Sequence, residues 1–563
     1  MNSALARVFQ PWQPERILRL DSALLVVDKP SGLPTHGGGL VGHDVVSRLA
    51  AHLERCGEAS YLGVHQRLDV GTSGVLCFVR DAAINAAVGA DFEQGRARKR
   101  YLAAVSVNER SPLARRGEFA LEHRLETAGE SVRVVKSGGK LARAECRVVA
   151  RRAERALVEL SPITGRTHQL RVQLAAIGAP IAGDKLYEGP PAPRLLLHAA
   201  RLELPSLEKV FDAPAPALFQ RYLTGNESAL GERHEISRRL RDAATLRSVL
   251  RKAAGESPAP GAGAGSEALR WVNGYGDELA GVVIDLYGEY ACLSLESDEA
   301  QDRAGELGEL LSDLGTAGVY AKRRVRADLR RADQSSLAPS APLAGSAPGE
   351  LVVEEAGLRV KVELADGLST GLFVDQRDNR ARIREAAAGL DVLNLFSYTC
   401  SFSVAAALGG AHRVTSVDTS ARALARGVEN FRLNALDPTQ HAFVREDAVK
   451  FLERAARRGT RFGLVVLDPP SFSTRERSKV LSVARDYAEL ARLALGVLAA
   501  GGTLLAVTNH RKTRAAAFRH LLVEAAERLG REVRRAKILP SGLDCPEGPF
   551  GPEPSKSVLL TLA

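Results

Sequence analysis

The feature that most constrains this chain is a pattern repeated through its last third. Four short aliphatic runs, LDVLNLFSY (390–398), HRVTSVDTS (412–420), FGLVVLDPP (462–470) and GGTLLAVTN (501–509), each end in polar residues and each lead into an amphipathic stretch. A strand can be apolar along its whole length only when both of its faces are covered. The alternation therefore predicts a parallel sheet with helices on both sides, a doubly wound α/β unit. Ligands of such sheets sit at the carboxyl ends of the strands. Asp418 and Asp468 end two of the runs, and Asp447 stands just before a helix in VREDAVKFL, although an aspartate there is also a common N-cap.

The chain has 563 residues, too many for one core, since cores stop growing near ~250–300 residues. Two stretches have linker composition, AAGESPAPGAGAGS (253–266) and SSLAPSAPLAGSAPG (335–349). The expected organisation is multi-domain α/β. An α+β unit covers 1–225, a basic helix and linker 226–266, a small α+β unit 267–334, a second linker 335–349, and the doubly wound unit 350–563. Ile236, Leu240 and Leu250 give the basic helix a partial apolar stripe. No apolar run approaches the ~18 residues of a membrane-spanning helix, and MNSALARVFQPWQPER has no signal core. A cytoplasmic protein is the expectation, with no membrane contact. The six cysteines form no CxxC pair, which speaks against a disulfide scaffold and against a zinc site on paired cysteines. Residues 1–225 hold 31 of the 77 Lys and Arg but 23 of the 67 Asp and Glu, so most of the net +10 lies there. A polyanionic partner fits that distribution, as does ordinary solvated surface.

Five ordered segments of the first unit carry more information. HQRLDVGTSGVLCF (65–78) places Arg67 and Asp69 before a Gly-Thr-Ser-Gly turn and an apolar strand. SPITGRTHQLRVQLAAIGAPIAGDKLY (161–187) places Arg166 in a polar turn ahead of a helix. With LLVVDKPSGLPTH (24–36), KRYLAAV (99–105) and RLLLHAARLEL (194–204), they resemble the RluA-type family of RNA pseudouridine synthases over residues 15–205. The resemblance implies a mixed, mainly antiparallel sheet and isomerisation of uridine to pseudouridine in structured RNA, with the target base flipped out of its stack. It makes Asp69 the covalent catalyst. It makes Arg166 the arginine that pairs with Asp69, Tyr101 the ring that packs on the base, and Arg67 the group that fills the vacated space. It calls for no metal and no cofactor. Arg96, Lys99 and Arg100 form a basic cluster suited to RNA phosphates, or to a solvated turn.

The later strand ends, taken with DPPSFS (468–473), GLSTGLFVDQRDNR (367–380) and ALRWVNGYGDELAGVVIDLYGEY (268–290), resemble the RlmI/RlmK-type methyltransferases of large-subunit ribosomal RNA over 268–563. The resemblance implies a Rossmann-like, seven-stranded class I domain that uses S-adenosyl-L-methionine. Phe396, Tyr398 and Thr399 would line the methionine part, Asp418 would hold the ribose and Asp447 the adenine. Asp468 would face the target base, with Phe472 stacking on it, while Asp375, Gln376 and Arg377 would close the pocket.

Methylation at cytosine C5 generally needs a cysteine thiolate, and the strand after Asp-Pro-Pro leads into Asn509 with no cysteine. Cys400 lies in the donor turn and Cys545 near the C-terminus. A guanine nitrogen, N7 among the candidates, needs only positioning beside the donor methyl. The expectation is a bifunctional RNA modification enzyme acting on large-subunit ribosomal RNA. The alternatives are transfer RNA as substrate of the first half, cytosine C5 as methyl target, or one half serving only as an RNA-binding or ribosome-assembly module. The sequence leaves the oligomeric state open.

Overall fold

A computed structural model describes residues 4–37, 43–129, 131–225, 230–251, 266–324, 334–470, 483–510, 513–548 and 555–563. The N-terminal half is built on an eleven-stranded sheet. Its central strands are Leu24–Lys29, Ser73–Val79, Leu197–Leu204 and Arg98–Ser106, and every pairing is antiparallel except that of Ser73–Val79 with Leu197–Leu204. At that parallel junction Gly74 has φ +112°, and a Cβ there would lie 2.2 Å from the Ala199 carbonyl oxygen, so only glycine lets the strands meet. The helix Gln169–Ala176 packs its Leu170 and Leu174 into the core beneath the sheet.

The C-terminal half has the expected seven-stranded sheet. Its strands lie in the order Ala442–Arg445, Arg413–Asp418, Asp391–Leu395, Phe462–Leu467, Leu498–Thr508, Lys556–Leu562, Val533–Leu539. The first five run parallel, and Lys556–Leu562 is antiparallel to both neighbours. Chain order reverses between Asp391–Leu395 and Phe462–Leu467, and a ligand crevice forms at such a switch point. Each of these two strands has an unbroken run of buried residues at its carboxyl end, which the helices on both faces explain.

Between the halves sits a five-stranded sheet, Ala268–Asn273, Val282–Tyr287, Tyr290–Leu295, Gly318–Arg323 and Ala344–Gly345. Two boundaries differ from the sequence expectation. The stretch 335–349 is not a free linker: Ala344–Gly345 adds an edge to this sheet beside Gly318–Arg323, and Leu343 covers Gly308. Its alanines and prolines read as linker because the strand is only two residues long. The first residues of the chain also leave the N-terminal unit. Leu5, Val8 and Phe9 join the core of the middle domain, where Phe9 meets Trp271 at 5.1 Å between ring centres. Of the first expected linker, 252–265 lies outside the described residues.

The basic helix Arg233–Arg247 is a bridge with two bonded faces. Toward the N-terminal half, Arg238 pairs with Asp28 and Asp242 with Arg16. Toward the middle domain, Ile236 and Leu240 are fully buried, and Trp271 Nε1 donates to the Leu240 carbonyl at 2.8 Å. At its end Arg247 grips Asp277 at 2.6 and 2.7 Å, with both side chains almost wholly buried. It also donates to the Asp544 carbonyl at 3.0 Å.

Candidate active sites

Asp69 lies in a loop whose peptide carbonyls are held by the segment Lys29–Thr35. Lys29 is fully buried, and its Nζ donates to the carbonyls of Pro30, Val70 and Thr72 at 2.9, 3.1 and 2.8 Å. Ser31 Oγ donates to Gly71 O at 2.9 Å and Thr35 Oγ1 to Leu68 O at 3.0 Å. Three acceptors thus satisfy a buried ammonium, while burial and then the nearby Arg194 charge pull its pKa down to about 7. The loop is fixed and its one acid points into the cleft.

The arginine that reaches Asp69 is Arg171, not Arg166. Arg171 Nη1 stands 3.4 Å from Asp69 Oδ2, and its Nε and Nη2 meet Asp184 at 2.7 and 2.8 Å. Its guanidinium lies 5.2 Å from the Tyr187 ring centre, and Tyr187 Oη bonds His168 Nδ1 at 3.0 Å. Burial opposes the Arg171 charge, but Asp184 and then Asp69 outweigh it and raise its pKa. Arg166 is exposed at the cleft rim, one turn too early to reach Asp69, and its Nε donates to Leu141 O at 3.2 Å. Arg171, Asp184, Tyr187 and Lys29 are the residues that sequence reasoning gave no role. The signal was present in LRV and GDKLY of the 161–187 segment, but only the fold brings Asp69, 102 residues before Arg171, to meet them.

Tyr101 lines the same cleft, and burial followed by the Asp69 charge pushes its phenol pKa up, so the ring is a neutral surface. Arg67 is exposed on the lining and makes no ion pair among the described residues. The basic cluster divides. Lys99 faces the cleft, 5.8 Å from the Phe92 ring centre. Arg96 pairs with Asp91 at 2.9 Å and Arg100 with Glu203 at 3.3 Å, both outside the cleft lining.

The second site forms where the strand ends of the C-terminal sheet converge. The turn Phe396–Cys400 contains three left-handed residues, Phe396, Tyr398 and Cys400, with φ of 56°, 47° and 63°. None is glycine, and such strain persists where the surroundings enforce it. Here Ser397 N donates to Val417 O at 3.0 Å and Tyr398 N to Asp418 Oδ2 at 2.9 Å. Asp418 also accepts from Ser420 N at 2.8 Å, so it is oriented by backbone on both sides. Asp447 caps the helix Ala448–Arg457, accepting from Val449 N and Lys450 N at 3.0 and 3.2 Å. Thr399 turns away from the turn's open side: its hydroxyl donates to Gly371 O, tying the 367–380 segment down.

Two residues of that segment serve the frame instead of a pocket opening. Gln376 is buried, and its Oε1 accepts from Asn379 at 2.7 Å. Arg377 makes a two-pronged pair with Asp544 at 2.7 and 2.8 Å, which anchors the loop 541–548. The resemblance made Arg377 a residue that closes the pocket; its guanidinium is instead taken up by the buried Asp544. Asp375 accepts from Ser555 Oγ at 2.7 Å.

Asp468 ends the strand Phe462–Leu467 and accepts no hydrogen bond among the described residues. Burial, and then the Asp375 charge, push its carboxyl up to about 7 against the pull of Arg380. Beneath it Tyr487 Oη donates to Leu467 O and Val507 O at 3.1 and 2.9 Å, fixing both flanking strand ends. Phe472 lies outside the described residues. Burial raises the Cys400 thiol to about 11 and the Cys545 thiol well above its usual value, so both stay protonated. The site thus offers a strained backbone turn, two strand-end carboxylates fixed by backbone amides, and a third with spare acceptor capacity. That donor set fits a nucleoside with a ribose, an amino-substituted base and a charged tail.

Comparison with known proteins agrees with this division. Residues 23–176 match the family model of RNA pseudouridylate synthases, and residues 292–536 match that of S-adenosylmethionine-dependent methyltransferases. The chain is 35% identical over 272 residues to the ribosomal RNA large subunit methyltransferase I of Klebsiella pneumoniae (strain 342), covering 48% of this chain and 67% of that one. It is 33% identical over 301 residues to that of Salmonella newport (strain SL254), covering 53% and 71%. Among solved structures, a putative SAM-dependent methyltransferase from Streptococcus mutans is 31% identical, covers 53% of this chain and 75% of that one, and superposes with a TM-score of 0.46.

Proposed function

The chain belongs, through its C-terminal half, to the ribosomal RNA large subunit methyltransferase I family and carries an RNA pseudouridylate synthase domain ahead of it, and from this premise we propose that it performs two base modifications on large-subunit ribosomal RNA. The observation that carries the reading is the coexistence of two assembled acid centres in one chain, Asp69 with Arg171 and Asp418 with Asp468. Neither half has lost its chemistry to become a binding module.

In the first half, Asp69 attacks the flipped uridine and the glycosidic bond to N1 breaks. The uracil turns, C5 bonds to the sugar carbon as the bond from that carbon to Asp69 breaks and frees the carboxylate, C5 gives up its proton and N1 takes one. Arg171 pairs with Asp69 and aims it, because its own place is set by Asp184. Tyr101 offers a flat neutral face, and Arg67 occupies the gap left in the RNA. The nucleophile, its charge partner and the flat face for the base all come from this chain, which favours a cofactor-free reaction.

In the second half, S-adenosyl-L-methionine when bound supplies an electrophilic methyl on a sulfonium. Asp418 would hold the ribose hydroxyls, Asp447 the adenine, and the Phe396–Cys400 turn would present backbone to the methionine part. Asp468, stiffened by Pro469 and Pro470, accepts from the N–H edge of the target base. We assign a guanine nitrogen as the methyl acceptor, because burial holds the Cys400 and Cys545 thiols protonated and a protonated thiol is a poor nucleophile toward a pyrimidine. The test uses two labels on ribosomal RNA from cells lacking this gene. Tritium released from C5-labelled uridine must vanish in Asp69→Ala and persist in Asp418→Ala. Labelled methyl transfer must show the reverse. Loss of both in either variant, or of neither, would refute independent centres.

A further inference from the structure

We propose that the methyltransferase half supplies one wall of the RNA-binding cleft of the synthase half, so that the pseudouridine site is complete only in the full chain. The proposal rests on the reading of Asp69 as the nucleophile toward uridine in RNA. The cleft above Asp69 has a volume of about 1390 Å³, beyond the ~300–1,000 Å³ of a small-molecule site. It therefore holds more than the flipped nucleoside, and flanking nucleotides must occupy the rest. It runs without interruption from Asp69 and Tyr101 to His234 on the bridging helix, Gly276 in the middle domain, and Pro546–Gly548 in the C-terminal half.

That far wall is fixed in place. Arg194, from the loop before Leu197–Leu204, pairs with Glu278 at 2.8 Å across the boundary. Asn273 Nδ2 donates to Pro546 O at 2.9 Å. A Cβ on Gly276 would lie 1.9 Å from the Pro546 carbonyl oxygen, and one on Gly548 would lie 2.8 Å from Tyr275. Two glycines thus let the loop 541–548 seat against the middle domain, and Arg377 holds the same loop from the other side. Charges deeper in the wall are consumed by Arg16–Asp242, Arg238–Asp28, Arg221–Glu235 and Arg247–Asp277. His234 and Glu547 are its exposed ionisable side chains. A backbone carrying one phosphate per nucleotide must pass them.

The test compares three charge variants of the full chain, His234→Glu, Glu547→Lys and Glu453→Lys. Glu453 is exposed and lies outside the cleft, so its variant controls for general attraction to RNA. The probe is protein-free large-subunit ribosomal RNA from cells lacking this gene. Each variant is measured for RNA Kd, for KM and kcat of pseudouridine formation, and by ultraviolet crosslinking with peptide mapping. Glu547→Lys should lower Kd and KM about 3- to 10-fold and His234→Glu should raise them by a similar factor, with kcat unchanged, from the salt-screened charge change beside the RNA. Crosslinks should fall within 233–247 or 541–548. Values for both variants that match Glu453→Lys, with no crosslink in those segments, overturn the proposal. If the wild-type protein forms no pseudouridine, the parent reading fails separately, and Kd and crosslinks still decide whether RNA touches this wall.

Discussion

Arg171 stands 3.4 Å from Asp69 while two shorter bonds hold it to Asp184, so the fold, not the nucleophile, sets where its charge sits. An arginine anchored in this way can support a carboxylate that must form and release a covalent bond without the arginine following it. Arg171→Lys keeps the charge and loses the fork. We expect kcat for pseudouridine formation to fall about 10- to 100-fold with methylation unchanged. Arg166→Lys, at the rim, should change KM more than kcat. Steady-state kinetics on both variants would show the ordering, and equal kcat losses would contradict it.

Asp468 gives the methyl-transfer step a pH signature. Burial pushes its carboxyl up to about 7, so below that it is protonated and loses the negative charge and one of the two acceptor oxygens it offers the base edge. Methylation should rise about tenfold per pH unit below 7 and level off above it. Pseudouridine formation should not share this profile. The stability linkage has the opposite sign to that of a salt-bridged acid. The folded state holds a proton that the unfolded chain releases above pH 4, so stability falls as pH rises from about 4 to 7. Asp468→Asn should remove both dependences, read from rate profiles and from thermal unfolding across that range.

The ion pair Arg247–Asp277 closes the joint between the bridging helix and the middle domain, with side chains 0% and 2% exposed. Removing one partner strands the other charge in a dry site. Asp277→Ala should destabilise the full chain by about 3–5 kcal/mol. Trp271→Ala, which opens a cavity under Phe9 and frees the Leu240 carbonyl, should cost about 3–5 kcal/mol. Both are read as lowered thermal midpoints of the full chain. Undiminished midpoints would mean that the halves do not depend on this joint.

Cys545→Ser and Cys400→Ser test the choice of methyl target. Both thiols are buried and held protonated, so neither should be a nucleophile. Each variant that folds should methylate within about twofold of wild type, where loss of a covalent nucleophile typically costs several orders of magnitude. A collapse of activity in the folded Cys545→Ser protein would move the methyl target to pyrimidine C5.

The C-terminal sheet was readable because a doubly wound fold writes its strands as unbroken aliphatic runs, and each acid at a run's end then has a fixed place. Asp69, Tyr101 and Arg67, singled out through the resemblance, line one cleft. What escaped depended on distant pairings. Arg171 and Asp184 share one segment, but only the fold brings the distant Asp69 to them, and Arg377 meets an Asp544 far along the chain. Leu5, Val8 and Phe9 look like an ordinary amphipathic start, and nothing near them in sequence reveals Trp271 as their partner. The 335–349 stretch has linker composition yet contributes an edge strand, because two residues of pairing leave no periodicity to detect.

The most direct test of the account is nucleoside chromatography with mass spectrometry. Ribosomal RNA from cells lacking this gene is incubated with the full-length protein, with and without S-adenosyl-L-methionine. New pseudouridine is expected in both reactions and a methylguanosine only when the donor is present. Methylcytidine in its place would contradict the guanine assignment, and the absence of both products would contradict a bifunctional enzyme of large-subunit ribosomal RNA.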